Sequence, residues 1–276
     1  MKVQRLCRML GMSRQNYYKG RNVRRRRQID ETVVLSLVRR ERKLQPKLGT
    51  RKLRHMLRDE LINSGVSIGR DGLFGVLRRN KMLIARRRRY CRTTDSGHNL
   101  KTYSNLLKDA VLCGPGAAMV SDITYIRTDE GFLYLSLVMD AYSRAVVGWD
   151  CGDTLESMGC IRALKMAMRR GYGRGAIHHS DRGVQYCSGD YISCLRRRGV
   201  RVSMTEENHC YENAMAERLN GILKQEYGLG GCYESKAQAR RAVAEAVEMY
   251  NWLRPHTALG FNVPMAVHGD QAKSAA

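Results

Sequence analysis

Three acidic side chains sit where acids are either costly or well placed for chemistry. Asp122 lies inside the apolar run "SDITYI", and Asp181 ends the short run "GAIHHSD" just before Gly183. Glu217 belongs to the helical stretch "ENAMAERLNGILKQE". A carboxylate inside an apolar strand is expensive unless it is paired or bound to a metal. At a strand-to-helix junction, Asp181 suits either an N-cap or one half of a metal site. Asn213, Glu217, Gly221 and Lys224 recur at helical offsets and make one polar face, with Met215, Leu219, Ile222 and Leu223 largely on another side. A carboxylate for metal and an amine for phosphate on one stripe would suit DNA cleavage. A solvated amphipathic helix gives the same stripe. Between Asp181 and Glu217 stand 35 residues. With 13 Asp and 13 Glu in 276 positions, such an interval alone arises by accident about as often as not.

The surrounding patterns say what must hold these groups. "GAAMVSDITYIRT", "GFLYLSLVMDAYS" and "RAVVGWDCGD" read as three consecutive antiparallel strands with a turn at "DEG". A helix "SMGCIRALKMAMRRG", the strand "GAIHHSD", a helix near 186–198, the strand "VRVSMT" and two helices near 211–227 and 235–253 complete a mixed α/β layer fold. Upstream the chain reads as all-α. Two short helices are expected over 2–20, a first helix-turn-helix outline with Gly11 at the turn and Ser13 as a cap, then "RNVRRRRQID" as a charged connector. Helices over 31–44, from Thr50 and over 69–80 make a second, better-formed helix-turn-helix outline. In its last helix Leu73, Phe74 and Leu77 face inward and Arg70, Arg78 and Arg79 outward, which suits a helix lying in a DNA major groove, a small helical bundle with solvated arginines being the alternative. The basic linker 85–113 carries Arg86, Arg87, Arg88 and Arg89, a run suited to phosphate contacts. The expected segments are therefore 1–30, 31–84, 85–113 and 114–276.

Charge separates the two halves. Residues 1–100 hold 28 Lys plus Arg against 7 Asp plus Glu, a net of +21. The rest holds 21 against 19, a net of +2. A front of this density implies a polyanionic partner, nucleic acid above all. Nine scattered cysteines without a C-x-x-C pair imply reduced thiols in the cytoplasm and give no support for a zinc module. No apolar run is long enough to span a membrane, and no signal peptide is expected.

The strings "SDITYI", "GFLYLSLVMDAYSRAVVGW", "HSDRGVQY", "ENAMAERLNGILKQE" and "YNWLRPHTALGFNVP" strongly resemble insertion-sequence-3-type transposases, specifically their second-frame product. The resemblance covers residues 40–268. It implies a ribonuclease-H-like catalytic domain grouped with retroviral integrases, with Asp122, Asp181 and Glu217 as catalytic triad and metal ligands. It implies two Mg²⁺ (or Mn²⁺), about 3.5–4 Å apart, acting on an attacking hydroxyl and a leaving alkoxide. Lys224 would hold a phosphate near the cut. His179 and Gln185 would position DNA or order the Asp181 loop, a satisfied structural histidine being an equal reading, and His178 is not required. Asp140 is read as structural. Double-stranded DNA at element ends and target, a homo-oligomer, and an upstream-frame DNA-binding partner or fusion are the implied partners. The expected setting is the bacterial cytoplasm, with the protein nucleoid-associated. A DNA-binding repressor with an inactive domain and a simple metal nuclease stand as alternatives.

Overall fold

The computed structural model describes residues 3–85, 100–206 and 213–270. The chain divides into two compact units, Met1–Arg86 and Arg87–Ala276. Of the expected DNA contacts, Arg86, Arg87, Arg88 and Arg89 lie outside the described residues.

The first unit is all-helical: α1 (Val3–Met9), α2 (Arg14–Leu44), α3 (Thr50–Met56), α4 (Arg58–Asn63) and α5 (Arg70–Arg79). Ser13 caps α2 by accepting from the Asn16 N–H at 3.1 Å. The expected charged connector is absent, because α2 continues through it for 31 residues. Arginine and glutamine are good helix formers, and no proline interrupts the segment before Pro46. The second half of α2 buries Val34, Leu35 and Val38 against Leu53, Leu57, Leu61, Leu73, Val76 and Leu77. Each such side chain contributes about 1.5–3 kcal/mol on burial. In α5, Leu73 and Leu77 face inward as expected, but Phe74 is 42% exposed and Val76 takes the inner position. The Arg78 guanidinium lies over the Phe74 ring at 5.7 Å, which covers part of that ring from outside the core.

The second unit is a mixed sheet between two helical layers. β1 (Ala118–Thr128), β2 (Gly131–Asp140) and β3 (Val146–Gly152) form the antiparallel meander; β4 (Ile177–Ser180) and β5 (Arg201–Met204) add in parallel, giving the order β3-β2-β1-β4-β5. A two-residue strand β6 (Cys232–Tyr233), not anticipated from the sequence, pairs with Arg127 and Thr128. Side chains alternate across β1. Ala118, Val120 and Ile126 pack with α9 (Ala214–Glu226) and α10 (Lys236–Trp252), while Met119 packs on the other face with α6 (Ser157–Met168) and α8 (Gly189–Arg197). Gly148 lets α6 lie directly on β3, since a Cβ there would run into the Ala163 carbonyl. The short helix α7 (Val184–Cys187) follows β4, and α11 (Pro264–Asp270) ends the described chain. This is the ribonuclease-H-like arrangement that the resemblance implied.

Candidate active site

The register of two parallel strands brings Asp122 and Asp181 together. Ala118 pairs with Ile177, Met119 with His178 and Val120 with His179, a constant offset of 59. Asp122 and Asp181 carry the same offset of 59, two residues past the last pair. Neighbouring strands run about 4.8 Å apart, and residues two apart point the same way. Asp181 follows directly on Ser180, the last residue of β4, so the continued register sets it near Asp122, close enough for the two carboxylates to repel. The third acid, Glu217, is exposed in the first turn of α9.

Helix α9 is tied to β1 at two points. The Asn213 amide donates to the Ser121 carbonyl at 3.3 Å, and the Asn220 amide donates to Asp122 Oδ2 at 2.7 Å. Asn220 lies three residues after Glu217, on the same helix face. Sequence reading missed Asn220. The available signal was its helical spacing from Glu217, one polar residue among several. The other Asp122 oxygen, Oδ1, accepts from the Ile123 N–H at 2.9 Å. Asp181 Oδ1 accepts from the Gly183 N–H at 3.0 Å, an Asx-type turn that shapes the loop after β4. Val184 opens a four-residue helix for which Asp181 is not the cap.

The three acids sense one another. Burial is the first cause that pushes the Asp122 carboxyl up to about 8, and Asp181 and Glu217 add repulsion. The Ile123 and Asn220 hydrogen bonds pull it the other way. Glu217 is also raised, by partial burial and then by Asp181. Asp122 is half-buried, so its desolvated setting still leaves part of its surface open. Among the described residues no three His, Cys, Asp or Glu side chains are already gathered into a metal cage. The donors present are carboxylate oxygens carrying mutual repulsion, the chemistry that a hard divalent cation relieves. An open set also fits Mg²⁺, which keeps several of its waters.

The remaining expected residues divide. The Lys224 ammonium lies 4.7 Å from the centre of the Tyr125 ring, on the same helix as Glu217. Gln185 donates to the Leu155 carbonyl at 2.8 Å, which anchors the loop after Asp181. His178 is buried and shares Nε2 with Ser121 Oγ and the Tyr191 hydroxyl, each at 2.8 Å. Burial pulls its pKa down to about 3, so it is a neutral structural ring. His179 Nδ1 meets Ser203 Oγ at 2.8 Å beneath the same strand end. Asp140 is fully buried and accepts from the Gly116, Tyr142 and Ser143 N–H groups and from the Ser143 and Tyr172 hydroxyls. That role is architectural. In the first unit, Arg70 pairs with Asp71 at 2.9 Å and Arg79 with Glu31 at 2.7 Å.

Two integrase core domain models match residues 114–210 and 198–264. An insertion element IS600 uncharacterized 31 kDa protein of Shigella sonnei is 33% identical over 266 residues, covering 95% of this chain and 96% of that protein. Transposase InsF for insertion sequence IS3A of Escherichia coli (strain K12) is 34% identical over 268 residues, covering 94% and 91%. The HTLV-2 integrase catalytic core domain in complex with magnesium (trimeric form) matches 56% of this chain and 98% of its own, at 19% identity and a TM-score of 0.45. A simian T-cell lymphotropic virus intasome in complex with PP2A regulatory subunit B56 gamma matches 80% and 74%, at 17% identity and a TM-score of 0.48. Among the described residues no helix is long and apolar enough to cross a membrane. With a third of its residues shared along nearly its whole length, the chain belongs to the IS3-type insertion-sequence transposases, polynucleotidyl transferases with an integrase core.

Proposed function

We propose that this transposase binds the ends of its element and catalyses metal-dependent cleavage and joining of DNA strands, with Asp122, Asp181 and Glu217 as the catalytic carboxylates. The shared register of Asp122 and Asp181, with the electrostatic coupling of both to Glu217, carries this reading. The three side chains would hold two Mg²⁺ or Mn²⁺ ions, which supply an activated attacking hydroxyl and charge stabilisation for the leaving alkoxide. The chain's own residues do the rest. Asn220 and the Ile123 N–H fix the Asp122 carboxylate, and the Gly183 N–H fixes Asp181. Lys224 sits on the Glu217 helix, where its ammonium can hold a DNA phosphate as a point charge.

DNA capture belongs to the first unit, where the α3–α5 segment acts as a helix-turn-helix with Arg70, Arg78 and Arg79 at its outer face. Arg86, Arg87, Arg88 and Arg89 add phosphate contacts from the linker. Joining two DNA ends calls for a homo-oligomer, and an upstream-frame DNA-binding segment would sharpen recognition of those ends.

The test is a strand-transfer assay. Purified protein is mixed with Mg²⁺ or Mn²⁺ and a labelled duplex carrying the element's own end. Nicked and joined products are expected, and both are lost in Glu217→Gln and Asp181→Asn. Metal-dependent products that persist in those variants would overturn the triad. Nicking without joining points to a nuclease, and binding without cleavage to a repressor.

A further inference from the structure

The first half of α2 is an exposed cationic rod with no acid to balance it. Residues 1–29 contain ten Lys plus Arg and no Asp or Glu. Arg14, Arg21, Arg24, Arg25, Arg26 and Arg27 are all exposed on this one helix. Among the described residues none of them enters an ion pair. Other arginines of the unit do: Arg40 with Glu60, Arg70 with Asp71, and Arg79 with Glu31.

The arrangement is unfavourable for the helix alone. Arg21 with Arg24, Arg21 with Arg25, and Arg24 with Arg27 are like charges at helical spacings, which repel. The first turn of α2 also lacks an acid to complement the helix dipole. A solvated surface helix normally interleaves charges of both signs, and this one does not. At about 100° per residue, Arg14, Arg21, Arg24, Arg25 and Arg27 fall within an arc of roughly 160°, with Arg26 outside it. Only the second half of α2 packs into the hydrophobic core, while in the first half, beside α1, these arginines all stay exposed.

We propose that this arginine face of α2 is a phosphate-binding surface for duplex DNA, distinct from α5, and that it contacts the backbone without reading bases. It rests on the reading that the chain acts on DNA. It adds electrostatic contact to that of α5, where Arg70 and Arg79 also pair with Asp71 and Glu31, from a helix whose first-half arginines enter no ion pair among the described residues. Guanidinium groups pair with phosphate oxygens in a fork geometry and release condensed counterions.

The test is the salt dependence of binding by the full chain, read by fluorescence anisotropy on the element's end and on an unrelated duplex of equal length. Each lost phosphate contact flattens the plot of log affinity against log salt by about 0.9. Exchanging Arg21, Arg24, Arg25 and Arg27 together for Gln is expected to flatten the slope by about 3–4 on both duplexes. Arg25→Gln alone is expected to flatten it by about 0.9, and Arg26→Gln by much less. Circular dichroism verifies that the helix survives, and the single variants keep the test valid if the quadruple one does not fold. Unchanged slopes, or an equal effect from Arg26→Gln, would overturn the surface. Loss confined to the element's end would overturn backbone-only contact. Because anisotropy needs no cleavage, failure here is separate from failure of the strand-transfer assay.

Discussion

Asn220 donates its amide to Asp122 Oδ2 at 2.7 Å, and so locks the helix that carries Glu217 to the strand that carries Asp122. The bond favours the ionised carboxylate, so removing it raises the Asp122 pKa further. Asn220→Ala is expected to lower strand transfer at neutral pH and to move the acidic limb of its pH profile upward. A loss of stability alone would leave that limb in place. A variant with reduced activity and an unshifted limb would refute the positioning role.

Stability should report the same carboxyl. The Asp122 pKa is raised on folding, so its contribution is fully present below the unfolded value and is lost as pH rises through about 8. Without metal, Asp122→Asn is expected to raise the melting temperature at pH 8 by ~3 °C or more, the size that about 1 kcal/mol produces in a domain of this class. The difference should vanish near pH 4. Equal melting curves at pH 8 would show that Asp122 ionises freely in the fold.

Divalent cation binding should release a proton. At pH 7 a carboxyl with a pKa of about 8 is largely protonated, and a ligand to Mg²⁺ must be ionised. Calorimetric titration with Mn²⁺ in two buffers of different ionisation enthalpy should show release at pH 7 that fades by pH 9. The release should be absent in Asp122→Asn. Binding with no proton released at pH 7 would exclude Asp122 as a ligand.

Arg254 is almost fully buried and pairs with both Glu226 oxygens at 2.8 Å, with His256 Nε2 at 2.8 Å from its other nitrogen. Glu226 ends α9, where the helix dipole disfavours an acid. Arg254→Met strands that carboxylate, so a loss of about 3–5 kcal/mol is expected in urea unfolding. Arg254→Lys should recover only part of it, because an ammonium cannot fork. Full recovery by lysine would reduce the site to a simple charge contact.

Gly148→Ala tests the seam between β3 and α6. The new methyl meets the Ala163 carbonyl and the Ala167 N–H, both backbone. Helix α6 must shift, at a cost of about 1–3 kcal/mol or more. Urea unfolding measures it, and an unchanged midpoint would mean that the seam is loose.

Much of the second unit was legible because its signals are local. The apolar runs around Asp122 and Asp181 alternate with turns, and the strands appeared where those runs stood. The two-residue β6 carries too little pattern to be seen, since its pairing with Arg127 and Thr128 is set by the chain's return from α9. Asn220 offers only its helical spacing from Glu217, because the partner that gives it a role is 98 residues away. In the first unit the arginine run resembles a connector by its charge, although its helix propensity favours continuation. Arginine extends a helix readily, and α2 is unbroken there. Hydrophobicity alone points Phe74 inward, whereas Val76 completes the buried triplet with Leu73 and Leu77.

The constant offset between β1 and β4 has a consequence for how this sequence can change. Side chains on a strand obey parity, so a slip of β4 by one residue would reverse the faces of its side chains and reseat Asp181, which follows directly on Ser180, out of step with Asp122. The connection through β3 and α6 can lengthen or shorten by any number of residues, provided that the four residues of β4 keep their count against β1. Odd slips erase the pair, and an even slip moves Asp181 along the strand, away from the level of Asp122. The alignment of these two acids is thus written in how β4 seats, and insertions in the intervening loops are invisible to it.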